Sequence, residues 1–437
     1  MRGGTGLFTG RLPLVFFTNM PTGSGMVQNL VSATTRYRNG VVTSRDPRLD
    51  QFAGGIITDV DRMIELLGTP TTITPADGVK PSAIVGVDKN FKMSQEWKSS
   101  LAVDYQFPVS FPLSLTAEVI YTDMLKDVCL KNWNIKDPDG WQHLQGADDR
   151  MIYPKDYMYY SDVTTACVLS NTSKGYGWIA NLTLNAEPLK NLRLMASYTH
   201  TVRKEVSGMP GSNASSAWSS LYTVNGPNFS TPHNTSNAIP DRVIASISYK
   251  YGKDHYSLFY SGYSPSGYSF FYNGDINGDG IAYDLMYIPR DDSEIHFTNE
   301  ADRPKFWAFV DQDKYLRSHR GQYAEAYSAR APFVHRFDVH YAHDFTLKVG
   351  NTRHTLQLIA DIDNVGNLFN SKWGVNSNMS TCQNGSFLKV DKVDANGVPW
   401  FSMRKNTDGT DITKTWDYNH SYGQCWKLQI GVKYYFN

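Results

Sequence analysis

The stretch most able to do chemistry is Asp275-Ile-Asn277-Gly-Asp279-Gly280, followed by Ile281 and Asp284. Oxygen-bearing side chains at every second position, with a glycine to turn the chain, are what a hard cation such as Ca²⁺ needs around it. Asp275, Asn277 and Asp279 would supply side-chain oxygens and Ile281 its carbonyl. The helix–loop–helix calcium pattern then wants a bidentate Glu, but that position is Met286, so Asp284 would have to serve in a different loop geometry. The expectation is a structural calcium that stiffens a loop, set against an Asn/Asp/Gly-rich turn that closes without metal.

Two aromatic clusters come next. Tyr153, Tyr157, Tyr159 and Tyr160 form one; Tyr263, Tyr268, Phe270, Phe271 and Tyr272 form the other. Tyrosine offers rigid amphipathic area to a peptide or sugar, so these tyrosines are candidate ligand contacts. The alternative is aromatic packing at the ends of strands and within loops. His335, His340 and His343 sit close in sequence, but on a strand His340 falls in the row opposite the other two, which argues against a shared metal. Cys129 and Cys167 lie near opposite ends of one expected loop, and Cys382 and Cys425 within or beside another. Two loop-closing disulfides are weighed against four free thiols. No nucleophile–base motif, phosphate-binding glycine loop or basic nucleic-acid patch is found, so neither an enzyme nor a nucleic-acid binder is expected, and no cofactor is required.

The elements that must position these residues are strands. The last stretch, Trp426 to Asn437, alternates Trp426, Leu428, Ile430, Val432, Tyr434 and Phe436 with Lys427, Gln429, Gly431, Lys433, Tyr435 and Asn437. A period of two with one apolar and one polar row predicts a strand between two different solvents. The same grammar recurs over about ten segments: 3–18, 96–107, 113–123, 177–186, 192–203, 243–251, 255–263, 333–346, 354–363 and 426–437. One helix is expected, with Thr58 as N-cap and Gly68 as stop. Short turns alternate with long loops along the whole chain. That alternation, with nearly uncharged apolar rows, predicts an antiparallel transmembrane β-barrel wall with long external loops rather than a large soluble β-sandwich.

Bulk composition agrees. With 42 basic and 42 acidic side chains the net charge is zero, which gives no argument for an acidic or nucleic-acid partner. No apolar run approaches the roughly 20 residues of a membrane helix. The opening MRGGTGLFTGRLP lacks the apolar core of a signal peptide, so either the protein stays inside or its true start lies upstream.

RGGTGLFTGR (Arg2 to Arg11), QEWKSSLAVDYQFP (Gln95 to Pro108), RAPFVHRFDVH (Arg330 to His340), DIDNVGNLFN (Asp361 to Asn370) and the aromatic C-terminus together resemble TonB-dependent outer-membrane receptors. More narrowly they look like the Oar-like branch, whose members begin with a carboxypeptidase-regulatory-like domain. The resemblance implies a barrel of about 22 strands, a plug that engages TonB, and capture of a solute by external loops in the outer membrane of a Gram-negative bacterium. Against that pattern, residues 1–437 resemble only the C-terminal portion of the barrel: no plug or TonB-binding segment is readable. The expected partners are therefore lipid, a missing N-terminal barrel half with its plug, TonB through that plug, and a solute or peptide or glycan ligand. The alternative is a small passive channel, or a surface ligand-binding barrel independent of TonB.

Overall fold

Ten strands carry the architecture of the chain in a computed structural model, which describes residues 1–18, 20, 33–38, 41–52, 56–69, 82–265, 267–379 and 385–436. In chain order they are β1 (Arg2–Thr9), β2 (Gln95–Gln106), β3 (Leu113–Asn132), β4 (Gly175–Leu189), β5 (Leu192–Glu205), β6 (Asp241–Tyr251), β7 (Asp254–Tyr263), β8 (Val334–Val349), β9 (Thr352–Asp363) and β10 (Lys427–Phe436). Each pairs antiparallel with the next, so the sheet is a pure meander from β1 to β10. The fold class is all-β, as the period-two rows require.

Register keeps those rows intact from strand to strand. Leu101 faces Val119, Val119 faces Ala180, Leu182 faces Tyr198, and Tyr198 faces Val243. The row continues through Ile247–Leu258, Leu258–Val339, Tyr341–Ala360 and Ala360–Ile430. A slip of one residue in any pair would turn a whole strand over, so the continuity of the row across the eight pairings from β2 to β10 fixes their register. The opposite row is a hydrogen-bonded polar ladder. Asn181 donates to Thr199 (2.8 Å) and Ser197 (3.1 Å), Thr183 meets Ser197 at 2.8 Å, and Ser248 meets Ser257 at 3.0 Å. The apolar row is left uncovered: Leu101, Val119, Leu182, Ile430 and Val432 are 48–75% exposed.

The connections fall into two kinds. Two residues join β4 to β5, β6 to β7 and β8 to β9, and six join β2 to β3. The tight ones need positive φ, which Asn191 (65°), Gly252 (58°) and Gly350 (61°) supply. In a meander all the short turns lie at one end, so the five long connections gather at the other. There they pack into a cap with a core of its own. Phe309 from the β7–β8 connection lies 4.3 Å, ring centre to ring centre, from Phe387 of the β9–β10 connection; Phe306, Phe401 and Leu144 join them. A second cluster gathers Phe16, Leu130, Leu169 and Trp218.

Four local expectations need correction. The first strand stops at Thr9 rather than running to residue 18; Gly10 makes the last backbone bond, to the Ser94 carbonyl, and Val15–Thr18 turn helical. The strand expected over 113–123 runs on to Asn132, because a bulge opposite Gln95 and Glu96 lets its upper half leave β2 and pair with Thr165–Thr172. The expected helix is Val60–Leu67, stopped by Gly68 in the left-handed region, but its N-cap is Asp59, whose carboxylate accepts from the Asp61 and Arg62 amides. Lastly, Cys129 and Cys167 lie on paired strands yet out of register, facing Ser170 and Asn132, and both are free, buried thiols. That proposed bridge is not formed. Cys425 is also free, and Cys382 lies outside the described residues. In a Cys382→Ser, Cys425→Ser background, Cys129 and Cys167 should therefore refuse maleimide in the native protein and take up two equivalents in denaturant without reductant.

Candidate functional site

The Asp/Asn turn spends its oxygens on its own backbone. Asp275 accepts from the amides of Gly278 (2.7 Å) and Gly280 (2.8 Å), and Asn277 from that of Asp279 (2.9 Å). One oxygen of Asp279 accepts from Ile281 (2.7 Å), and Asp284 reaches back to the amide of Ile276 (3.1 Å). Such side-chain-to-backbone bonds are how this composition makes a turn unaided. Among the described residues no three His, Cys, Asp or Glu side chains converge on a metal-sized point, so this geometry lends the calcium expectation no support.

Below the turn lies a buried charge network. Arg150 is completely buried; its Nε donates to Asp148 at 2.8 Å, one terminal nitrogen donates to the Leu285 carbonyl at 2.7 Å, and the other stands 3.8 Å from Asp284. Its guanidinium lies over the rings of Tyr272 and Tyr323, at 5.0 and 5.5 Å. Both tyrosine hydroxyls donate to Asp148, at 3.2 and 3.0 Å. Asp148 thus accepts from three donors, and the network ties the 148–150, 272–287 and 323 segments together. Single-sequence reasoning missed it because ADDR gives no sign that its arginine points inward.

Asp279 and Asp284 are buried with less compensation. Burial pushes Asp284 well above the usual carboxylate range, Arg150 partly opposing it and Asp279 adding to it. Burial likewise pushes Asp279 up to about 7, against the hydrogen bond from Ile281. An acid whose folded pKa is raised binds its proton more tightly folded than unfolded. The Asp279 contribution to the stability of the cap should therefore fall as pH rises from about 4 to 7, by up to about 1.4 kcal/mol per unit, and level off above that. Asp279→Asn keeps the bond to Ile281 and should flatten this slope, as read by denaturant melts of the cap between pH 5 and pH 8.

The tyrosines divide. Tyr153 and Tyr272 are core residues rather than ligand contacts: Tyr153 is edge-on to Trp141 and donates to the Asn225 carbonyl, while Tyr272 stacks on Phe401. Tyr157 donates to the Asp279 carbonyl at 3.3 Å, Tyr263 to Asn376 at 2.8 Å, and Tyr268 packs edge-on to Trp416. Tyr159 and Tyr160 alone of the seven are largely exposed. The histidines occupy opposite rows as expected: His335 meets Tyr260, and His343 meets Asp254, in the apolar row. His340 meets Asp361 in the polar one. They share no site.

A more open feature was not legible beforehand. Lys131, Asn171, Lys174, Ser207, Asn228 and Thr231 line a cavity of about 420 Å³ between β3, the strand Thr165–Thr172 and the β5–β6 connection. Neither lysine has an acidic partner within ion-pair reach among the described residues. A cavity this size with ammonium, amide and hydroxyl groups suits a polar or anionic solute. Its lining comes from segments up to a hundred residues apart, none of which reads as a motif.

No family model matches the chain, and no curated protein matches it significantly. Among solved structures it is similar to the crystal structure of the outer membrane transporter YddB from Escherichia coli, at 10% identity and a TM-score of 0.37. The similarity covers 82% of this chain and 35% of that one, so the chain spans about a third of that protein's length.

Proposed function

We propose that this chain forms wall and external loops of an outer-membrane importer of the TonB-dependent kind. The observation that carries the reading is the uncovered apolar row running across all ten strands, opposite a polar ladder, with the long loops packed at one end. A soluble protein would bury that row; a hydrocarbon solvent accepts it. In this reading the row faces lipid, the ladder faces a wet lumen, and the cap faces outward, where its polar cavity meets a solute. Among the described residues β1 and β10 each lack a neighbour on one side. Unpaired backbone in hydrocarbon costs several kcal/mol per group, so further strands pair along both edges and a plug within them couples to TonB. The chain itself is assigned no catalytic role.

The test is the native outer-membrane product, detected through β10, together with solute uptake. A heat-modifiable species well above the mass of this chain, whose uptake stops when TonB is removed while surface binding persists, is the expected result. Conductance or uptake indifferent to TonB would transfer the chain to the passive-channel class. A product found in the soluble fraction would end the membrane reading.

A further inference from the structure

The upper end of β8 carries a cavity that the transport reading leaves unused. Phe333, His335 and Phe337 form one wall, and Lys372, Trp373 and Tyr418 of the β9–β10 connection form another, around a cavity of about 410 Å³. His335 and Phe337 belong to the same row as Val339 and Tyr341, so the cavity opens on the apolar face of the sheet and not on the polar ladder. It lies at the loop end of that row, against the β9–β10 connection, the end that meets the headgroups in the membrane reading. Trp373 and Tyr418 are about half exposed there, as amphipathic rings at a membrane boundary are. Lys372 lies over the Tyr418 ring, 5.6 Å from its centre, with no carboxylate in ion-pair reach among the described residues.

We infer that this cavity seats one phosphorylated, acylated lipid of the outer leaflet, an acyl chain against Phe333, Phe337 and Trp373 and a phosphate on Lys372. The inference rests on the membrane reading. Apolar walls continuous with the lipid-facing row select an amphiphile already dissolved in the bilayer, and the lone ammonium at the rim selects an anionic head. The site lies outside the lumen, so its occupant would be a structural lipid that holds the β9–β10 connection against β8, not cargo.

The test uses the complete outer-membrane product in detergent and native mass spectrometry. The probes are lipid A, lipid A stripped of its phosphates, and glucosamine 1-phosphate as the bare headgroup. Lipid A should be retained about tenfold better than the stripped form, the worth of one charge-assisted contact, and the bare headgroup not at all. Lys372→Ala, a surface change, should reduce lipid A to the level of the stripped form. A Cβ at Gly366 would stand 3.7 Å from Trp373, so Gly366→Leu extends into the cavity and should abolish retention of both lipids. Retention unchanged in either variant, or equal for the two lipids, overturns the inference. Heat-modifiable migration of the same preparation decides the membrane reading separately, so a folded barrel that holds no lipid counts against this site alone.

Discussion

Replacing Arg150 by Met should loosen the external cap more than any other single change within it. The substitution preserves most of the side-chain volume but removes the one cation, among the described residues, that contacts both Asp148 and Asp284. Asp148 is left with two tyrosine donors, and Asp284, already hard to ionise, loses the one charge that favoured its anion. Breaking a buried pair by deleting one partner costs about 3–5 kcal/mol, because the remaining charge stays desolvated. That is large beside the total stability of an ordinary domain. The loss is local, since the Arg150 contacts lie among loop residues and not on the meander. Limited trypsin digestion should cut the cap of Arg150→Met at least about a hundredfold faster than native, the population change such a penalty implies, while heat-modifiable migration stays native. Arg150→Met combined with Asp148→Leu and Asp284→Asn should recover much of the resistance, because the orphaned charges are gone as well. Equal digestion rates for native and Arg150→Met would mean that the network contributes nothing to the cap.

The contrast between the meander and the cap also explains what could be read in advance. Ten segments announced themselves because a strand between two solvents writes its environment into every second residue: Leu428, Ile430 and Val432 against Lys427, Gln429 and Lys433. Their order followed, since two-residue connections such as Gly252-Lys253 leave antiparallel neighbours as the only choice. Boundaries were weaker where the alternation breaks. Pro13 hid a short helix, and the bulge beside Lys126 hid the upper half of β3, whose partner strand comes from within a loop. The cap left no periodic signal at all. Phe309 meets Phe387 across some eighty residues, and Asp148 meets Tyr323 across 175, so nothing local marks Arg150 as buried or Tyr272 as core. The Asp/Asn turn was found as a motif, yet the same residue types serve a self-capped turn and a cation loop, and only the hydrogen bonds separate the two. Exposure misleads in the same way: tyrosines that look available in sequence divide into two at the surface and five tied into the packing or hydrogen bonds of the fold.

Leu182→Arg and Thr183→Arg, adjacent residues on β4, should have opposite fates. Leu182 is 48% exposed, in the middle of the apolar row between Ala117 and Tyr198. Thr183 is in the polar ladder, bonded to Ser197 and Asn181. On a water-soluble sheet a half-exposed leucine exchanged for arginine would be near neutral or would improve solubility, because the guanidinium reaches water at once. In a bilayer the same arginine near the midplane costs about 2–4 kcal/mol, while one facing a wet lumen costs little beyond a lost threonine hydrogen bond. Leu182→Arg should therefore shift the urea midpoint of lipid-reconstituted protein sharply downward and cut the heat-modifiable fraction. Thr183→Arg should leave both close to native. Leu347→Arg, near the short-turn end of β8, extends the test with depth: an arginine there can reach the interface, so its penalty should fall below about 1 kcal/mol. A series in which Leu182 stands well above both Leu347 and Thr183 has no counterpart in a soluble sheet, where burial alone would rank the three. If Leu182→Arg is instead as stable as native, the apolar row does not face hydrocarbon, and the importer reading and the lipid site beside β8 fail together.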